Sequence, residues 1–163
     1  MIRGLLFTSV FLLPMASIAQ ELPTTSYLPV ELAVKSAQAA LNACTTRGSN
    51  VSVAIVGRDG STKVLLKADN SGPHTGSSAE GKAFTSAALG RDTAGLASFI
   101  TAQQENSGMR DMDPRMVIQA GGLPIKIGEA LVGGIGVGGA PTGAIDSECA
   151  VAGLKAIGAV IPE

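Results

Sequence analysis

The sequence has no tryptophan, a single histidine, two cysteines and few aromatic side chains, and its charges nearly cancel. Each scarcity removes a class of function. With 12 basic residues against 13 acidic ones, a formal charge of −1, no cationic excess exists to neutralise a phosphate backbone, so nucleic acid is not an expected partner. One His and two Cys cannot close a Cys/His zinc site within one chain. Ser and Thr are plentiful, but no G-x-S-x-G elbow is present and His74 is the sole imidazole, so a hydrolase triad finds no support. Aromatics are 3% of the chain, and any ligand slot is therefore walled mainly by Ala, Val, Leu and Gly. What is abundant is small and apolar: 45% of the 163 residues are hydrophobic and 21 are Gly, enough for the packed core of one domain.

Residues 1–19 read MIRGLLFTSVFLLPMASIA. Arg3 is the only charge, an apolar run extends from Leu5 to Leu13, Pro14 breaks it, and Ser17-Ile18-Ala19 precedes Gln20. That is the order of a secretory signal, and the run is short for a membrane span. The expectation is cleavage after Ala19, a single domain over residues 20–163, and a periplasmic or secreted protein without stable membrane insertion. An uncleaved anchor is the alternative. Both cysteines, Cys44 and Cys149, follow the cleavage point. An oxidising compartment favours a disulfide between them, against the alternative of two buried free thiols.

Along the rest of the chain, Ala33, Ala37, Ala40, Leu41 and Cys44 form the apolar stripe of a first helix, introduced by Pro29 and stopped by Gly48. VSVAIVG and STKVLLKA flank Arg58-Asp59-Gly60 as a β-hairpin. After the polar loop 69–77, Ser77 and Glu80 make a capping box that predicts a helix start at Ser77 and an end near Gly90. A further helix opens at Asp92 or Thr93, with Gly108 past its end. MVIQA (116–120), GGLPIKIG and ALVGGIGVGG follow as three strands, and a closing helix runs from about Ala144 to Val160. The order α-β-β-α-α-β-β-β-α argues for an antiparallel α+β domain. Cys44 lies late in the first helix and Cys149 early in the last, so a disulfide requires these two helices to pack antiparallel.

Two motifs carry less than their letters promise. Gly134 to Gly139 contains G-x-G-x-x-G, but no helix, strand and acidic residue follow it at dinucleotide spacing, and the Lys-Ser/Thr of a phosphate loop is missing. Small residues there suit close packing instead. Asp111, Asp113 and Arg115 lack the spacing of a calcium loop and read as a solvated turn. His74 is more informative. A lone loop His is usually solvated, yet this one follows the stiff Gly72-Pro73 pair and precedes a helix N-terminus that favours anions. Lys82 lies further along that helix and Arg91 beyond it. A neutral imidazole so placed can ligate haem iron, with the helix start and Lys82 meeting the haem carboxylates.

Ser78-Ala79-Glu80-Gly81-Lys82-Ala83-Phe84-Thr85-Ser86-Ala87 resembles the S-x-x-x-K-A-x-T-A helix of the GlcG/HbpS haem-binding (haem-degrading) domain family. Arg91-Asp92-Thr93 with Leu96, Gly121-Gly122-Leu123-Pro124-Ile125, the Val132–Gly139 strand, Asp146-Ser147-Glu148-Cys149-Ala150 and the VSVAIVGRDG hairpin are similar to further motifs of that family, in order from about Leu32 to Ile157. Gly57 stands where the family usually has Asp, Gly138-Gly139 replaces the usual Ser-Gly, and the acidic iron-binding extension of some secreted relatives is not evident. The resemblance implies a profilin-like fold, a five-stranded antiparallel sheet flanked by helices. It also implies homo-oligomers, and haem or a related tetrapyrrole as ligand. It points to His74, Thr75, Lys82, Thr85 and Arg91 as cofactor-binding positions, with His74 as the iron ligand. Three functions follow as expectations: an exported haem-binding protein, a cofactor-free module that stabilises a partner, or a haem-degrading enzyme.

Overall fold

A computed structural model describes residues 21–162; the expected signal segment, 1–19, lies outside them. Helix α1 (Val30–Thr46) leads into the hairpin of β1 (Ser52–Gly57) and β2 (Thr62–Lys67). Helices α2 (Thr75–Leu89) and α3 (Thr93–Ala102) and a 3-10 helix (Gln104–Asp111) come next. Strands β3 (Gly122–Ile127) and β4 (Ala130–Gly138) and helix α4 (Gly143–Ala156) complete the chain. The sheet order is β2-β1-β4-β3, and every neighbouring pair is antiparallel.

Side chains alternate across β1, and both faces are covered. Val53 and Ile55 join Ile135, Val137 and Leu154 under α1 and α4, while Ala54 and Val56 meet Ala79, Ala83 and Ala87 of α2. That double burial is why VSVAIVG has no polar face. Gly134, Gly136 and Gly138 of β4 face α2. A Cβ at Gly134 or Gly136 would collide with the carbonyl oxygens of Ala83 and Ala79, so helix backbone lies directly on strand backbone.

Helices α1 and α4 run antiparallel: Ser36 lies beside Gly153, and Cys44 and Arg47 meet Cys149 and Glu148. The disulfide Cys44–Cys149 joins them with a Cα separation of 5.6 Å. The tail folds back along β3, where the Val160 N–H donates to the Lys126 carbonyl at 2.9 Å.

The sheet has four strands among the described residues, not five. MVIQA forms no strand, because α2 and α3, rather than a neighbouring strand, take its polar groups. The Val117 N–H donates to Thr85 Oγ1 at 3.0 Å, the Gln119 carbonyl accepts from Thr93 Oγ1 at 2.5 Å, and Ile118 packs with Leu96 and Ile100. Helix α2 also starts at Thr75 rather than Ser77. Thr75 closes the preceding turn through bonds from its N–H and Oγ1 to the Gly72 carbonyl, and Glu80 accepts from Thr62 Oγ1 instead of reaching back to Ser77. Asp92 caps α3, accepting from the Gly95 N–H at 2.6 Å.

Candidate functional site

His74, Ser78 and Lys82 stand four residues apart, so they form one stripe down the first turns of α2. The stripe lines a groove of about 520 Å³. Across from it lie Ala97 of α3, the irregular segment Ile118–Ala120, and the residues from Gly139 to Gly143 that open α4. The N-terminal ends of both α2 and α4 therefore border one hollow, and the positive ends of their dipoles favour an anionic group there. Ala97, Ile118, Ala120, Ala140 and Pro141 supply apolar wall.

His74 occupies the N-cap position of α2 with its side chain exposed on the rim of this groove. Its carbonyl accepts from the Ser78 N–H at 3.0 Å, and its ring lies over Gly72, where a Cβ would come within 2.9 Å of Cε1. No side-chain hydrogen bond ties up the imidazole among the described residues. The loop beneath it is fastened by Lys67, whose Nζ donates to the Gly72 carbonyl at 2.5 Å and the Ser71 carbonyl at 3.1 Å. Thr75 is buried and serves the same loop: Oγ1 bonds Ser52 Oγ at 2.8 Å and donates to the Gly72 carbonyl at 2.8 Å.

Lys82 forms the groove floor. Its Nζ lies 2.9 Å from Asp146 Oδ2 and 2.9 Å from the Val137 carbonyl, and both charged side chains are only 4% exposed. Asp146 Oδ1 accepts from the Ala140 N–H at 3.1 Å. Burial pushes the Asp146 carboxyl above its ordinary value, while Lys82 and the Ala140 N–H pull it down. Gly121, at φ 118°, leaves room for the ammonium, since a Cβ there would sit 3.0 Å from Nζ. The charge of Lys82 is thus matched from within, a fact invisible without Asp146. In sequence, Asp146 stands out only within the Asp146–Ala150 motif, and nothing there marks it as the partner of Lys82. Lys67, too, gives no signal beyond its place at the end of a strand.

Thr85 and Arg91 lie elsewhere. Thr85 Oγ1 donates to the Gly81 carbonyl at 2.8 Å and accepts from Val117, pinning the irregular segment to α2. Arg91 is exposed, with its guanidinium 5.1 Å from the Phe99 ring centre, beside a separate hollow shared with Pro124 and Lys126. Of the five positions expected to bind a cofactor, the groove brings together His74 and Lys82. Among the described residues no cluster of acidic, His or Cys side chains is arranged to hold a metal ion, and no helix is long and apolar enough to cross a membrane.

The fold is shared with solved structures. A double mutant of HbpS from Streptomyces reticuli is 40% identical and superimposes with a TM-score of 0.78, over 87% of this chain and 94% of that one. The Klebsiella pneumoniae protein ORFY (23% identity, TM-score 0.80) covers 89% of this chain and 100% of its own. PduOC, solved as a haem complex (21% identity, TM-score 0.77), covers 83% and 98%. At those two identities the likeness shows the fold alone. No curated protein matches the chain. The family described as "Haem degrading protein HbpS-like" matches residues 28–155, and on that match the chain belongs to the HbpS-like family.

Proposed function

We propose that the protein binds haem in the groove between α2 and α4, with His74 as the iron ligand. One observation carries this reading: the only imidazole of the chain sits free on the rim of a groove bordered by two helix N-termini and partly walled by apolar side chains. The family is a haem-related one, and a protein of the same fold has been solved with haem. The residues suit the group. His74 offers an uncommitted nitrogen, and Ala, Ile and Pro side chains offer apolar contact to a macrocycle. Bound haem would supply iron-centred redox and ligand chemistry. The role of the chain is to seat the porphyrin edge, present the imidazole and orient carboxylates toward the helix ends. Lys82, already paired with Asp146, holds the floor. Thr75 and Lys67 hold the loop.

Hemin titrated into the oxidised protein should shift the Soret band, and His74→Ala should weaken binding by about tenfold or more. An unchanged titration in His74→Ala would remove His74 from the site. The family description favours a second reading, breakdown of the bound haem. Reductant and oxygen would then give a bilin product in the presence of catalase, whereas a carrier would keep its Soret band.

Export belongs to the same proposal. Residues 1–19 act as a cleaved signal, and the Cys44–Cys149 bond suits an oxidising periplasmic or extracellular setting. Homo-oligomers, as the family resemblance implies, are tested by sedimentation of the oxidised chain.

A further inference from the structure

Helix α2 has a second flank. Ser77, Glu80, Gly81 and Phe84 recur at helical spacing on it and face a separate cavity of about 340 Å³. The β1–β2 turn at Gly60 and Thr62 closes one side, and Pro114–Val117 closes the other. Val56, Phe84 and Val117 make the inner wall apolar. Two positions around it are kept bare: a Cβ at Gly81 would collide with Val117, and one at Gly60 would come within 3.0 Å of the Phe84 ring.

The charges in this cavity do not cancel. Glu80 Oε1 accepts from Thr62 Oγ1 at 3.1 Å, and among the described residues no cation pairs with the carboxylate. Arg115 stands over Phe84, its guanidinium carbon 3.9 Å from the ring centre. Its charge is spent on Asp113, with Nε to Oδ1 at 3.0 Å and Nη2 to Oδ2 at 2.8 Å. The cavity therefore presents one uncompensated carboxylate beside an aromatic ring whose face already accepts a flat cation. The side chain of Arg115 is 60% exposed on an external loop, so a competing cation can displace it.

We propose that this cavity binds a small flat organic cation, an amidinium or guanidinium compound whose charge meets Glu80 and whose apolar body lies along Phe84. An anion is repelled by Glu80, and a neutral ligand leaves the second oxygen of Glu80 without a charged donor. This site lies on the opposite flank of α2 from the haem groove and does not depend on haem binding.

Benzamidine, benzamide and benzoate have nearly one shape and differ in charge, so they separate the possibilities. In amide NMR of the oxidised wild-type protein, benzamidine should shift Gly60, Gly81 and Val117. Benzamide should bind about tenfold more weakly and benzoate should not bind, the scale of a charge-assisted contact. Glu80→Gln keeps an acceptor for Thr62 and should cost benzamidine about tenfold in affinity. Arg115→Ala clears the ring face and should strengthen binding. Equal responses to benzamidine and benzamide would overturn the proposal, as would shifts confined to Ser78 and Lys82 or full affinity in Glu80→Gln. Should Glu80→Gln fail to fold, as judged by circular dichroism, the three-ligand comparison on wild type decides alone.

Discussion

Lys82 and Asp146 place opposite charges where almost no solvent reaches, 2.9 Å apart. Removing one partner of such a pair leaves the other stranded, which typically costs about 3–5 kcal/mol. The loss should depend on pH, and its sign follows from Asp146. Burial raises that carboxyl above its ordinary 3.8, so the stability it contributes is complete below that value and fades as pH climbs through the elevated one. Lys82→Met removes the main opposing pull and should raise the carboxyl further. Urea unfolding of Lys82→Met should therefore show a large loss near neutral pH and a smaller one near pH 4. Equal losses at both would mean that Asp146 is not the stranded group. At this scale the sequence exposes one half of the pair. Lys82 is conspicuous because it shares a stripe with His74. Asp146 is visible only as the start of a motif, with no sign that it pairs with Lys82, because an acid in a first helical turn is explained by the helix dipole alone.

The contact between α2 and β4 shows what a glycine-rich strand is for. With Ala79 and Ala83 carbonyls lying over Gly136 and Gly134, a single methyl group has nowhere to go. Gly136→Ala should lower stability by about 1–3 kcal/mol, read as a shifted urea midpoint with unchanged slope. Gly108→Ala, with no neighbour inside 4 Å of the added carbon, should be close to neutral. Periodicity located the helices and the hairpin because each buries a regular stripe or face. It misassigned MVIQA because β-branched composition reports a preference that depends on what stands beside the segment, and here Thr85 and Thr93 take its hydrogen bonds. The start of α2 was misplaced by two residues because Glu80 has a tertiary partner in Thr62, which a local capping pattern cannot register.

The disulfide closes a span of 105 residues between the first and last helices. Loops of that length gain most from a cross-link, and reduction, or Cys44→Ala with Cys149→Ala, should cost about 2–5 kcal/mol. Melting with and without reductant measures it, and identical curves would show that helix packing alone holds α1 to α4. The antiparallel helix pair was legible from the two cysteine positions once they are read as a disulfide, a demand that two free thiols would not make. The groove was not, because it is assembled from α2, α3, α4 and an irregular segment that share no local pattern.

The tail bound at Lys126 also gives the two rims of the sheet different fates. One rim is bonded at Lys126 by the chain's own end, and β2 is the other, where no further strand pairs among the described residues. An added strand, in a dimer or a fibre, meets the tail first at β3 and no such obstacle at β2. The open rim carries lysines 63 and 67, whose like charges discourage two such rims from zipping together.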